Sequence, residues 1–203
     1  MPDDIILATF TEWTAHLGPK EARIAVYNKI RDIPYAIIPE LRDPVTGPAG
    51  MLELGKGSCI PKHFLLGMLF QKLDIPVKYC TYLYSWADPR IKYPPELRSI
   101  VKELPMGTHL ACRAHIEGQW VLIDATWDSA LKKAGFPVNE AWDGVHPAKN
   151  AVRPTQEIIH ETVEGRVKYT TEAKKSWTDA ETRAHEEFPV VFNAWLEACR
   201  RMG

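Results

Sequence analysis

A cysteine stands where a glycine-containing segment meets an apolar helical pattern. Cys59 follows the segment 55–58, and apolar residues then recur at helical spacing to about Leu73. The first turn of a helix presents unpaired N–H groups and the positive end of the helix dipole, so a thiol placed there ionises more readily. The same N–H groups can stabilise negative charge on a carbonyl oxygen. The segment therefore predicts a nucleophilic cysteine on a helix over about 58–73, with Ser58 as its N-cap.

Two segments of alternating polarity, 108–116 and 119–126, predict a β-hairpin whose turn is Glu117-Gly118. One face of this hairpin is apolar and is predicted to be core: Leu110, Cys112, Ala114, Ile116, Val121, Ile123 and Ala125. A two-residue turn makes His109 and Asp124 diagonal neighbours on the other face, with backbones roughly 7–8 Å apart. A three-residue turn would separate them. The hairpin thus predicts an imidazole within reach of a carboxylate.

A thiol, an imidazole and a carboxylate are the three parts of a thiol acyl-transfer site. The histidine takes or shares the thiol proton, the carboxylate orients the histidine, and the thiolate attacks a carbonyl to give a thioester. We therefore predict that Cys59, His109 and Asp124 are catalytic, for acyl transfer or amide hydrolysis.

These motifs resemble those of the transglutaminase-like superfamily of papain-type folds. In that family a cysteine opens a helix after a short Gly-rich segment, as in Gly55-Lys56-Gly57-Ser58-Cys59, and a "GIPv+" strand start follows, matched by Asp74-Ile75-Pro76-Val77-Lys78. A histidine then opens a strand, here Thr108-His109, before a "G-x-W-v-x-x-D-x-T" strand, here Gly118-Gln119-Trp120-Val121-Leu122-Ile123-Asp124-Ala125-Thr126. The resemblance covers about residues 50–145. It departs where the common "HaW" is His109-Leu110-Ala111.

The resemblance implies an α+β fold in which a helix bearing Cys59 packs on an antiparallel sheet bearing His109 and Asp124. It implies a cysteine-nucleophile acyltransferase or hydrolase that acts on a peptide or small amide. It implies no cofactor and no metal. The family's second oxyanion donor has no counterpart by position, and Tyr82 and Trp86 are the candidates.

Three alternatives stay open at the level of sequence. Ile33-Pro34-Tyr35 is reminiscent of arylamine N-acetyltransferases, which use acyl-CoA, although this chain lacks the arginine-glycine-glycine lead-in expected before Cys59. A catalytically inactive binding or scaffold domain of the same fold is the second. The third is a zinc site, because His63 stands four residues after Cys59 and His109 could join it.

Composition limits the class of partner. The chain has 203 residues, a formal net charge of −1 and 45% hydrophobic residues, so we expect one domain over 1–203 that binds neither nucleic acid nor a membrane. Four dispersed cysteines predict reduced thiols in a cytoplasm. The basic residues near the motifs are expected to form a solvated face, with stabilisation of an anionic substrate or of the thiolate as the alternative: Lys56, Lys62 and Arg113.

The flanking segments must position these residues. Helical spacing predicts N-terminal helices over 3–17 and 19–31, followed by a Pro- and Gly-rich loop over 33–50. A strand is predicted over 77–84 and a short helix over 94–104. C-terminal helices are predicted over 155–201, the first ending near Gly165 and the last beginning with a capping box of Thr178 and Glu181. Specificity is expected from the loops 34–50, 86–93 and 135–146.

Overall fold

Helices make up most of the fold. The computed structural model describes residues 2–201. Its α-helices are α1 (Pro2–Thr14), α2 (Pro19–Asp32), α3 (Gly47–Leu54), α4 (Cys59–Gln71), α5 (Pro95–Glu103), α6 (Val163–Lys174) and α7 (Asp179–Arg201). Short 3₁₀ helices lie at Pro39–Arg42 and Ser129–Ala134. The predicted N-terminal helices, the helix that carries Cys59 and the short helix before the hairpin are confirmed.

An antiparallel sheet of four strands forms the other half of the core. The strands are β1 (Val77–Tyr84), β2 (Gly107–Ile116), β3 (Gln119–Ile123) and β4 (Pro154–His160), in the order β3-β2-β1-β4. The turn between β2 and β3 has positive φ at Glu117 (50°) and Gly118 (82°), as a two-residue type I′ turn requires. Ile116 pairs with Gln119 and His115 with Trp120, which confirms the predicted register.

The two faces of the sheet differ in burial. The predicted core face is buried and packs against α4, where the rings of Phe64 and Tyr79 lie 5.6 Å apart. The opposite face is buried only in part, where a second apolar cluster forms, and Trp120 on the same face is exposed; the cluster is Cys80, Tyr82, Tyr84, Ala111 and Val152. The α+β class is therefore confirmed, with a helix bearing Cys59 packed on an antiparallel sheet and further helices at both ends of the chain.

Two predicted segments are wrong in detail. The loop predicted over 33–50 contains a 3₁₀ helix and the start of α3, since prolines and glycines are tolerated in the first turn of a helix. The helix predicted to start after Pro154 is β4, which pairs with β1 at the edge of the sheet, where a proline at the first position loses no ladder bond. Gly165 does not end a helix: its N–H donates to Thr162 Oγ1 over 3.1 Å in the first turn of α6.

The C-terminal helix α7 is hydrogen-bonded to the loop that precedes α3. Thr178 and Glu181 form the predicted capping box, with Glu181 N–H donating to Thr178 Oγ1 over 3.2 Å and Thr178 N–H donating to Glu181 Oε2 over 2.8 Å. The amide side chain of Asn193 exchanges two hydrogen bonds with the backbone of Ile37.

Within residues 2–201, the helices are all too short or too polar to cross a bilayer.

Candidate active site

Cys59 is the first residue of α4, and its side chain lies inside the protein, with the residue only 8% exposed. Ser58 holds the N-cap position with an extended backbone, but its side chain accepts no capping hydrogen bond, so the predicted cap is corrected in this respect. Pro61 has no N–H, and Lys62 N–H donates to Ser58 carbonyl over 3.3 Å. The N–H groups of Cys59 and Ile60 are therefore the first-turn donors left for a ligand.

The segment before Cys59 is held by backbone pairing to a distant loop. Gly57 N–H donates to the carbonyl of Pro34 over 3.0 Å, and Ala36 N–H donates to the carbonyl of Gly57 over 3.3 Å. A Cβ at Gly57 would lie 2.7 Å from Cγ of Met51, so a larger residue would push the helix start away. The glycine in this lead-in is required by close packing.

His109 and Asp124 are brought together as the register predicts. His109 Nε2 lies 2.8 Å from Asp124 Oδ2, and the two residues are 2% and 1% exposed. Asp124 lies just beyond the end of β3, which stops at Ile123 instead of running to 126. The carboxylate turns inward because Ala151 N–H donates to Oδ2 over 2.7 Å and Thr126 Oγ1 donates to Oδ1 over 2.6 Å.

The third predicted residue joins this pair. The imidazole of His109 acts on the thiol of Cys59 as a hydrogen-bonding partner and as a positive charge, and the N–H of Leu110 acts in the same direction, so that both lower the pKa of the thiol. Since Nε2 of His109 is engaged by Asp124, Nδ1 is the nitrogen left to face the sulfur. Cys59, His109 and Asp124 therefore form one continuous chain of interacting side chains.

Electrostatics in this chain favour a thiolate–imidazolium pair. Burial works against charge on Cys59, but the hydrogen bond and positive charge of His109 lower the pKa of the thiol below its usual range. Burial likewise opposes charge on His109, yet Asp124 and Cys59 raise the pKa of the imidazole to about 10. Burial alone would raise the pKa of Asp124, but His109 lowers it to about 2. Both shifts act in the direction of a thiolate on Cys59 paired with an imidazolium on His109.

His63 lies beside this chain in a fixed neutral form. Its Nδ1 lies 2.8 Å from the carbonyl oxygen of Cys59 and must carry the proton, while Nε2 accepts Ala125 N–H over 3.1 Å. Burial lowers the pKa of His63 to about 4. Both ring nitrogens are occupied by backbone, so His63 has no lone pair for zinc. Within residues 2–201, no group of three His, Cys, Asp or Glu side chains is arranged to hold a metal.

The two candidates for a further oxyanion donor differ in position. Tyr82 stacks near His109, with ring centroids 6.2 Å apart, but its hydroxyl donates to Glu157 Oε1 over 2.7 Å. Trp86 lines the cavity beside Cys59 and packs against Phe188, with ring centroids 4.8 Å apart. Only Trp86 therefore borders the space in which a substrate carbonyl would lie.

A cavity of about 330 Å³ opens directly beside Cys59. Two of the predicted specificity loops contribute to it, through Tyr35 and Arg42 in the first and Trp86 in the second, whereas the loop 135–146 lines no part of it. Trp142 from that third loop packs instead against Tyr27, with ring centroids 4.8 Å apart. Further walls come from residues 105–108 at the start of β2, from Trp177 and His185, and from α6, a helix that the sequence did not predict.

Two of the three basic residues near the motifs differ from expectation, whereas Lys56 is exposed as predicted. Lys62 is fully buried rather than solvated, and its Nζ donates to the backbone carbonyls of Arg31 and Thr126 over 2.9 and 2.8 Å. Arg113 pairs with Glu157 on the far face of the sheet. Neither side chain faces the cavity.

The cations that do line the cavity are Arg42, Arg166 and Lys174. The missed signal was the spacing of Arg166, Thr170 and Lys174, four residues apart on one side of a helix. The sequence prediction left residues 166–177 between a helix ending near Gly165 and a helix beginning at Thr178, so this spacing was not interpreted as helical.

No family model and no curated protein matches this chain. A candidate cysteine protease from Cytophaga hutchinsonii is similar in structure, with 18% identity, a TM-score of 0.42, and coverage of 78% of this chain and 50% of that chain. A candidate protease from Parabacteroides distasonis overlaps with 16% identity, a TM-score of 0.39, and coverage of 62% and 25%. The chain thus spans half or less of these solved chains. At these values the overlaps assign no family, and the inference of activity depends on the chain's own residues.

Proposed function

We propose that this protein is a cysteine-nucleophile enzyme that transfers or hydrolyses acyl groups through a thioester on Cys59. The observation that carries the proposal is the buried chain from the Cys59 thiol through His109 to Asp124, which opens at its sulfur end into a cavity. A buried cysteine with no such partners has a raised pKa and is inert, as burial makes the thiol of Cys112. The sequence resemblance to transglutaminase-like enzymes supports the same reading.

In the first half-reaction the thiolate of Cys59 attacks the carbonyl carbon of an amide, forming a C–S bond as the carbonyl electron pair moves to oxygen. The N–H groups of Cys59 and Ile60 stabilise that oxyanion. When the tetrahedral species collapses, the C–N bond breaks and the imidazolium of His109 gives its proton to the departing amine. A thioester and a neutral imidazole remain, with Asp124 holding the ring in place.

In the second half-reaction a water molecule or an amine attacks the thioester. His109 takes the proton of that nucleophile, the C–S bond breaks, and the thiolate–imidazolium pair is restored. A peptide or small amide is the acyl donor that we favour, and the resemblance to transglutaminase-like enzymes is what supports this choice.

Intact-protein mass spectrometry tests the proposal. The protein is incubated with a panel of amide, ester and acyl-CoA donors, and we expect an acyl adduct that maps to Cys59. The Cys59→Ala variant should show neither adduct nor turnover, whereas Cys199→Ala, which removes a thiol remote from the cavity, should retain both. Turnover of any donor by Cys59→Ala at the wild-type rate contradicts the proposal, as does the absence of adduct and turnover across the whole panel.

A further inference from the structure

The cavity beside Cys59 contains positive charge that the protein itself does not neutralise. Arg42, Arg166 and Lys174 line it, and none of the three forms an ion pair with a carboxylate anywhere in residues 2–201. Arg166 is 3% exposed, and its Nε and Nη2 atoms have no hydrogen-bond partner. The ring of Phe64 lies 5.9 Å from Cζ of Arg166, but it offers no oxygen acceptor to these two nitrogens. Buried N–H donors without an acceptor are costly, and such groups are normally hydrogen-bonded or bound to a ligand.

The other polar groups at the cavity do not supply the missing anion. Asp43 directs its Oδ1 to the N–H groups of Val45 and Thr46, over 2.9 and 2.8 Å, and so caps its own turn. His185 is neutral, since burial and the charges of Arg42 and Lys174 lower its pKa to about 4, and its Nε2 lies 3.2 Å from Nη2 of Arg42.

The thiolate of Cys59 is the negative group that interacts with Arg166. Its charge raises the pKa of the guanidinium, whereas burial lowers it. That thiolate already accepts hydrogen bonds from His109 and from Leu110 N–H. The two unpaired donors of Arg166 are therefore available to a further acceptor.

The three cations converge from two sides of the cavity. Arg166 and Lys174 lie two turns apart on α6, with Thr170 between them, and Arg42 belongs to the loop before α3. Aromatic side chains complete the walls: Tyr84, Trp86 and Trp177. The cavity thus offers a cationic end and apolar walls within the same space as the thiol.

We infer that this cavity selects acyl substrates that carry an anionic group, a carboxylate or a phosphate, which Arg166 binds together with Arg42 and Lys174. The inference rests on the proposed function, because it places the scissile carbonyl of that substrate at Cys59. A planar guanidinium with two free donors suits either oxyanion in a bidentate contact.

A pair of alkylating reagents of nearly equal size tests the inference without knowledge of the substrate. Iodoacetate carries a carboxylate and iodoacetamide is its neutral counterpart, and both alkylate a thiolate by displacement of iodide. The rate ratio of iodoacetate to iodoacetamide at Cys59 is compared with the same ratio for N-acetylcysteinamide. Because a change in thiolate fraction alters both rates equally, the ratio reports anion binding alone. We expect the ratio at Cys59 to exceed that of the small thiol by about tenfold.

Charge-removing variants locate the effect. Arg166→Gln and Lys174→Gln should each bring the ratio down toward that of the small thiol, while Lys168→Gln, which removes an exposed charge from the same helix, should leave it unchanged. Arg166→Gln is also expected to melt no lower than the wild type, because burial disfavours the charge that it removes and two of the guanidinium nitrogens have no hydrogen-bond partner. A lower melting temperature with an unchanged ratio would show that Arg166 is structural and would overturn the inference.

Protection of Cys59 from iodoacetamide distinguishes the two sources of negative charge. Benzoate, phenyl phosphate and the neutral benzamide are compared as protectants, and we expect one or both anions to protect while benzamide does not. Rapid labelling by iodoacetamide with a ratio equal to that of the small thiol would overturn the anion site and leave the acyl chemistry intact. Slow labelling of Cys59 by both reagents would instead contradict the proposed function itself.

Discussion

At the scale of single residues, Asp124 is the most constrained group of the candidate site. Its two carboxylate oxygens accept hydrogen bonds from His109, Ala151 N–H and the hydroxyl of Thr126, and its backbone carbonyl accepts the hydroxyl of Tyr27 over 2.7 Å. A buried carboxylate with this many donors remains ionised, and its position defines where His109 can stand. The ion pair with His109 is therefore a source of stability as well as part of the proposed catalytic arrangement.

The stability that Asp124 contributes should depend on pH in a defined window. Its pKa is lowered from 3.8 to about 2 in the folded protein. The contribution is therefore complete above about pH 4, and it is lost as the pH falls through 2, because the unfolded chain takes up the proton first. We expect the free energy of unfolding to fall by about 2 kcal/mol more in the wild type than in Asp124→Asn between pH 5 and pH 2. Urea denaturation at several pH values measures this, and parallel curves for the two proteins would contradict it.

At the scale of elements, α4 is positioned by two side chains of its own first turns. Lys62 donates to the carbonyl of Thr126, and His63 accepts the N–H of Ala125. Both contacts reach the chain directly after Asp124. The helix that carries the nucleophile is thereby tied to the segment that carries the carboxylate, which keeps the sulfur in register with the imidazole.

Replacing His63 tests this tie. His63→Phe preserves an aromatic ring but leaves Ala125 N–H buried without an acceptor, so we expect a loss of about 1–3 kcal/mol in the free energy of unfolding. His63→Gln keeps an acceptor and a donor and should recover part of the loss. Chemical denaturation of the three proteins is the measurement. Equal stability of His63→Phe and the wild type would mean that the tie contributes nothing.

At the scale of the whole molecule, features determined by short segments of sequence could be predicted, and features determined by tertiary contacts could not. The strand alternation and the Glu117-Gly118 turn determine the hairpin register within one short segment, so the proximity of His109 to Asp124 could be predicted from sequence. Likewise, the Gly-rich lead-in to Cys59 is a local signal. These features determine the positions of Cys59, His109 and Asp124. They do not determine whether the three residues are catalytic.

The cavity wall could not be predicted in the same way. β4 forms because its strand pairs with the edge of β1, a preference that residues 154–160 alone do not show. The helix α6 that follows lines the cavity, and its position there depends on that pairing. Helix and strand signals are both weak there, and tertiary pairing decides between them. The cations Arg42 and Arg166 meet only because segments far apart in the chain share this wall.

The most direct measurement of the central claim is the pH dependence of Cys59 alkylation by iodoacetamide, resolved by peptide mass spectrometry in the wild type and in His109→Ala. An isolated thiol titrates near pH 8.5 and loses about tenfold in rate for each pH unit below that value. Because His109 lowers the pKa of Cys59, the wild-type rate should persist well below pH 8.5, and His109→Ala should abolish that advantage. Identical profiles for the two proteins, with Cys59 titrating at or above the value of a free thiol, would contradict the thiolate–imidazolium pair.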